Sequence, residues 1–210
     1  MLWEPRVKVD LKKAIASYKA KNGHFTIVQV PTMQYLMIDG HKGPASAEFA
    51  SAIEALYPVA YKLKFMSKLS LEKDYVVPPL EALWWAEDMA VFTTKFDQSK
   101  WDWTAMIMVP EWITRDLFID ALKEVQAKKK LASLDKLRLQ ELSEGTCVQT
   151  LHLGPYTDEG PVLADMHSNF IPENGLKMQG KHHEIYFNDF RKVSPEKLKT
   201  ILRQPVGATR

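Results

Sequence analysis

Cysteine is almost missing from this chain: Cys147 stands alone among 210 residues, which excludes an internal disulfide and points to a reducing compartment. No stretch approaches the roughly 18 apolar residues of a membrane span. Residues 1–23 lack the apolar core of a signal peptide. An excess of one charge is lacking as well. The net charge is only +2, too little for a protein that grips nucleic acid by neutralising phosphates. The one basic run, Lys128-Lys129-Lys130, falls at the end of an expected helix, where it complements the helix dipole and needs no partner. The expectation is a cytoplasmic protein with no nucleic-acid and no membrane partner. Glycine-rich phosphate loops, His-x-x-x-His helices and cysteine pairs are absent too. His182-His183-Glu184 is too compact to chelate one ion on a strand, because adjacent side chains diverge. No metal and no cofactor is expected, and Cys147 reads as a small buried strand residue rather than a nucleophile.

Large polarisable side chains are plentiful, with six tryptophans and nine methionines. Most of them fill a core, but both types also contact flat organic molecules well. Strands are expected at 25–30, 33–38, 75–77, 80–85, 89–94, 103–109, 137–142, 146–153 and 182–187. Asp39-Gly40 is expected to end the second strand. Phe49, Ile53, Leu56, Ala60 and Leu63 share a helical face behind the N-cap Ser46, with Pro58 predicting a kink or two consecutive helices. Thr114 caps an amphipathic helix whose stripe is Leu117, Phe118, Ala121, Leu122 and Val125. Pro161 opens a third helix and Gly175 lies past its end. Residues 2–22 read as a polar lead-in with one weak helix, and the chain after Ser194-Pro195-Glu196 as a short helical segment and a tail.

The order strand–helix–strand occurs twice, once around Gly40 and once around Gly154, which hints at duplication. Two such units side by side give a mainly antiparallel sheet with helices on one face, an α+β fold. Ala105 to Val109 is apolar on both sides of its strand, and Leu83, Trp84, Trp85 and Phe187 add bulk. A curved sheet with large apolar groups on its open face is a ready cleft for a small molecule.

Five strings, Pro79 to Trp85, Trp103 to Ile107, Gly154-Pro155-Tyr156, His182 to Tyr186 and Leu198 to Val206, resemble the GyrI-like small-molecule-binding family. More narrowly they look like its stand-alone branch, which includes the cyclopropanoid cyclopropyl hydrolases. The resemblance implies two pseudo-symmetric strand–helix–strand–strand modules, about 25–110 and 111–206, within a domain of residues 25–210 that follows a lead-in of 1–24. It implies helices on one face of the sheet and a ligand groove between the modules, taken here as lying on the other face. Residues 1–24 are too few for the helix-turn-helix domain that several relatives carry, so the expectation is not a transcription activator. Ala82 stands where the tryptophan motif is expected to hold glycine, and Pro58 is also atypical; neither is expected to touch a reacting group.

In strand geometry His182, Glu184 and Tyr186 share one face and His183, Ile185 and Phe187 the other. Read from the residues alone Glu184 is a solvated strand glutamate paired with a neighbouring lysine; by motif it takes the place of the family's groove glutamate. A carboxylate among aromatics is desolvated and suited to acid–base work. Tyr156 is the candidate donor to a ligand carbonyl. Trp84, Trp85, Trp103, Met106, Met108, His152, Phe170, His182 and Tyr186 are the candidate ligand-binding residues, and only one of Trp84 and Trp85 can face the groove. The resemblance implies binding of planar aromatic or cationic xenobiotics and hydrolysis of strained cyclopropane electrophiles, a detoxification. The alternative is sequestration without turnover, with Glu184 as a counter-ion, and a weaker third reading is a protein-interaction domain.

Overall fold

A computed structural model of the chain describes residues 8–92, 95–189 and 191–209. The elements run α1 (Leu11–Ala14), β1 (Thr26–Val30), β2 (Met33–His41), α2 (Ala47–Ser70), β3 (Leu80–Trp85), β4 (Asp102–Val109) and α3 (Arg115–Lys128). They continue with β5 (Arg138–Leu142), β6 (Gly145–Leu153), α4 (Gly160–Asp165), a π-helical turn (Met166–Phe170), α5 (Ile171–Glu173), β7 (Leu176–Met178), β8 (His182–Tyr186) and β9 (Lys199–Ala208). One mixed α+β layer arrangement results. The strands form a single sheet in the order β1-β6-β9-β8-β3-β4-β2-β5, with β7 pairing the end of β9 and every neighbour antiparallel.

The order is mirrored about the β3–β8 junction. On one side β3, β4 and β2 lie in sequence with α2 between β2 and β3; on the other β8, β9 and β6 do the same with α4 and α5 between β6 and β8. The two strand–helix–strand–strand units expected from the repeat therefore meet at the middle of the sheet.

Local chemistry explains the helices. The Ser46 hydroxyl accepts from Phe49 N at 3.2 Å and Thr114 from Leu117 N at 3.2 Å, so both expected caps form. Helix α2 runs unbroken for 24 residues through Pro58, where a kink or break was expected. Its buried face, which includes Phe49, Ala52, Leu56, Val59, Ala60 and Leu63, packs on the sheet, and that burial offsets the loss of one backbone hydrogen bond.

Four expectations fail. Gly40 does not end β2. The strand runs one residue past it, to His41, and the position needs glycine because a Cβ there would lie 2.2 Å from Trp103 Cζ2. Residues 75–77 form no strand, and Tyr75 makes only an isolated bridge with Val9. Met89–Phe92 is a 3₁₀ turn rather than the start of a strand, and the rest of that expected strand, Thr93 and Thr94, lies outside the described residues. The expected tail is β9, ten residues long and third from one edge of the sheet. Its Arg203, Gln204 and Pro205 disguise a strand whose arginine is buried in an ion network.

The lead-in is also more than a lead-in. Tyr18 is 4% exposed and, with Leu11, Ile15 and Ala20, packs on Tyr35, Met37, Leu83, Met106, Met108, Ile185 and Ile201. These side chains define the sheet face opposite α2 and α3. The face expected to stay open as the groove is thus covered by the N-terminal segment.

Candidate functional site

β8 lies at the centre of the sheet between β3 and β9. Glu184 pairs with Ala82 on one side and Leu202 on the other, so its side chain stands on the face of α2, in the gap between the α2 core and the α4–α5 segment. The expected groove residues Glu184, Tyr186 and His182 are together, on the helix-bearing face and not the opposite one. Helix α2 packs on β2, β3 and β4, and the α4–α5 segment on β6 and β9. Ala82 directly faces Glu184 across the ladder, so this departure from the family pattern, expected to be remote from the chemistry, touches it.

The Glu184 side chain is 15% exposed. Tyr186 Oη donates to its Oε2 at 2.7 Å, and Trp84 Nε1 donates to Tyr186 Oη at 3.0 Å, a relay of two bonds. His182 Nε2 lies 3.6 Å from the other carboxyl oxygen. Burial, and then the Glu184 charge, push the Tyr186 phenol well above its ordinary pKa, so it stays a donor.

The second wall comes from the segment after β6. Gly154, at φ 134°, and Pro155 turn the chain so that the Tyr156 ring meets Tyr186 edge-on at 5.5 Å. Burial and the nearby carboxylates push the Tyr156 phenol up to about 12. Three residues on, Glu159 is 5% exposed. It occupies the N-cap position of α4 without making a capping bond, and its Oε1 has no hydrogen-bond partner. Burial first, then the charge of Glu184, push its carboxyl up to about 10. Sequence reading missed Glu159, because a glutamate two residues before Pro161 reads as an ordinary helix start. His167, on the π-helical turn, completes this wall. Its ring lies 6.1 Å from that of His182, its Nε2 is buried without a partner, and burial pushes it down to about 4, so it is neutral near pH 7. Single π-helical turns are frequent at functional sites.

The remaining candidates divide. Trp84 stands on the Glu184 face, while Trp85 points to the other, where Lys181 Nζ sits 3.0 Å from its ring centroid. Trp103 shares the Glu184 face but is fully buried, edge-on to Phe49 at 5.0 Å and donating to the His41 carbonyl at 3.1 Å. Met106 and Met108 lie on the opposite face under the N-terminal segment, since their strand positions alternate with Ala105 and Ile107. His152 faces the site side, cross-strand from Thr200, with Nε2 3.1 Å from the Pro155 carbonyl. Phe170 packs on Phe25 at 5.2 Å and on the apolar cluster that contains Leu202. Unforeseen members are Phe92 and Trp101, whose rings stack at 4.4 Å; Trp101 meets Trp84 at 5.8 Å and extends the aromatic wall.

Behind the site, on the other face, His183 links two carboxylates: Nε2 to Glu81 at 2.9 Å and Nδ1 to Glu144 at 3.0 Å. Arg203 closes the network onto Glu144 at 2.9 Å, Gln149 at 3.0 Å and the Ser17 carbonyl at 2.7 Å, and Tyr18 donates to Glu81 at 2.5 Å. The partners His183 and Arg203 outweigh burial and hold Glu144 down to about 2; the same carboxylates raise the His183 imidazole. This buried hydrogen-bonded network ties β3, β8, β9 and the start of β6 to each other.

The GyrI-like small molecule binding domain model matches residues 24–206. The chain belongs to the GyrI-like family. No curated protein matches it. An uncharacterised conserved protein from Listeria innocua is 37% identical over 95% of this chain and 100% of its own, with a TM-score of 0.87. Two structures described as hydrolases from Listeria innocua are 36% and 37% identical, cover 95% and 96% of this chain and 100% of their own, and superpose with TM-scores of 0.83 and 0.85. The C-terminal domain of EcmrR, at 11% identity and a TM-score of 0.55, over 88% of this chain and 98% of its own, shares the fold alone. Within this GyrI-like chain no helix among the described residues is long and apolar enough to cross a membrane.

Proposed function

We propose that this GyrI-like protein binds planar aromatic electrophiles at the β3–β8 junction and hydrolyses strained cyclopropane rings conjugated to a carbonyl. The observation that carries the reading is a nearly buried carboxylate, Glu184, set among Tyr186, Trp84 and Tyr156 with Tyr186 bonded to it at 2.7 Å. Such a group, short of bulk water but still reachable, is placed to take a proton from an attacking water. Tyr156, with its phenol pushed up to about 12, keeps its hydrogen and donates to the oxygen on which negative charge grows. The aromatic wall of Trp84, Trp101 and Phe92 offers edge and face contacts to a flat ring system and orients it for attack. The two hydrolases from Listeria innocua support a hydrolytic reading. In biological terms the reaction is detoxification of an alkylating xenobiotic.

Incubation with a cyclopropane-bearing DNA alkylator, followed by mass spectrometry, tests this. Wild-type protein is expected to yield the ring-opened, water-added product catalytically, and Glu184→Gln to bind without product. Stoichiometric binding by both proteins with no product would replace the hydrolase with a sequestering protein in which Glu184 serves as a counter-ion.

A further inference from the structure

Glu159 approaches Glu184 from a different element: three residues before it the Tyr156 ring meets Tyr186, which bonds Glu184, and the surroundings of the two carboxyls are unequal. Glu184 accepts the Tyr186 hydroxyl at 2.7 Å, while His182 Nε2, 3.6 Å from its other oxygen, makes no hydrogen bond. Glu159 lacks such support: it is 5% exposed, makes no capping bond, and its Oε1 meets no donor. The Thr200 hydroxyl, which faces it, makes no hydrogen bond of ordinary length. His167 brings no positive charge, since burial keeps it neutral. Two carboxylates in one desolvated hollow do not both ionise, and the proton settles where the anion has fewer donors.

Resting on the hydrolase reading above, we propose that Glu159 and Glu184 share one proton at rest, with Glu159 carrying it, and that Glu159 is the proton donor of the reaction while Glu184 is the acceptor. The step balances without any other reactant. Water oxygen bonds to the exposed ring carbon as one cyclopropane C–C bond breaks. That electron pair moves through the conjugated ring to the carbonyl oxygen. Glu184 takes the proton lost by water, and Glu159 gives its proton to the new phenolic oxygen. The product is a hydroxyalkyl phenol, and a proton returned from Glu184 to Glu159 restores the pair. The arrangement fits a neutral electrophile whose leaving electrons end on oxygen, because a proton must be delivered there. Tyr156 assists by hydrogen bonding without parting with its own.

The test combines kinetics with infrared spectroscopy on the full chain. Wild-type protein at pH 8 is expected to show the carbonyl stretch of a buried protonated carboxyl, absent in Glu159→Gln. That variant is expected to lose about 100-fold or more in kcat with ligand binding retained. Its deficit narrows as the pH falls and hydronium supplies the proton, whereas the Glu184→Gln deficit does not narrow. Glu159→Asp is expected to recover part of the rate. Three results overturn the proposal: no protonated carboxyl in the wild type, Glu159→Gln with a wild-type rate and pH profile, or an equal deficit at every pH. Turnover by the wild type alongside any of these would leave the hydrolase reading standing and remove only Glu159 as donor. A wild type without turnover removes both.

Discussion

Replacing Glu159 by glutamine should stabilise this protein, and should do so more as the pH rises. The carboxyl has a pKa of about 10 in the fold against 4.5 when free. Between those values the native state holds a proton that the unfolded chain has released. Stability therefore falls as pH rises through that window, by up to about 1.4 kcal/mol per pH unit. From pH 5 to pH 8 this amounts to at most about 4 kcal/mol, and local relaxation and water entry reduce it to roughly 2–4 kcal/mol, a large part of a typical domain's 5–15 kcal/mol. Glutamine keeps the shape and removes the titration. The neighbouring shifts do not confuse the comparison. Glu144, held down to about 2, contributes stability that is lost only as pH falls below the usual carboxylate range, and the raised His183 is common to both proteins. Urea unfolding at pH 5, 6, 7 and 8 of wild type and Glu159→Gln measures the difference directly. The expected result is a gap that opens with pH in favour of the variant. Parallel curves would mean that Glu159 is solvated and ionised in the fold, and the argument for a shared proton would fail with it.

Two more consequences can be measured in the same way. Arg203→Met removes the guanidinium from a Glu144 carboxylate that is 3% exposed, and should cost about 3–5 kcal/mol in urea unfolding, because breaking one side of a buried pair strands the other. A cost below about 1 kcal/mol would show that water replaces the arginine freely. Gly40→Ala places a methyl 2.2 Å from the fully buried Trp103 ring and should cost about 1–3 kcal/mol, with a changed tryptophan emission spectrum; an unchanged stability and spectrum would mean that the ring has room to move.

Much of this arrangement could be read along the chain. The caps at Ser46 and Thr114, the period of α2 and α3, and the alternation that puts Glu184 with His182 and Tyr186 are local features, and they survive folding. Adjacent tryptophans had to point apart, although only pairing with β8 decided that Trp84 faces the site. Glu159 was invisible for the opposite reason. Its chemistry depends on burial beside a residue 25 positions away in sequence, and a loop glutamate carries no mark of that. β9 was hidden because its buried charge, Arg203, is neutralised by Glu144, which a linear reading treats as a solvated turn residue. Met106 and Met108 were placed at the groove because an apolar run has no intrinsic side.

By itself the sequence determined the two long helices, the strands β1 to β6 and β8, their duplication, and which side chains on each strand travel together, because those follow from backbone periodicity and from capping chemistry within a few residues. Tertiary structure decided which face of the sheet is covered by what, and which distant carboxyls meet. The N-terminal segment took one face and the helices the other. Desolvation there raises the Glu159 carboxyl, and it exists only once the chain has closed around it.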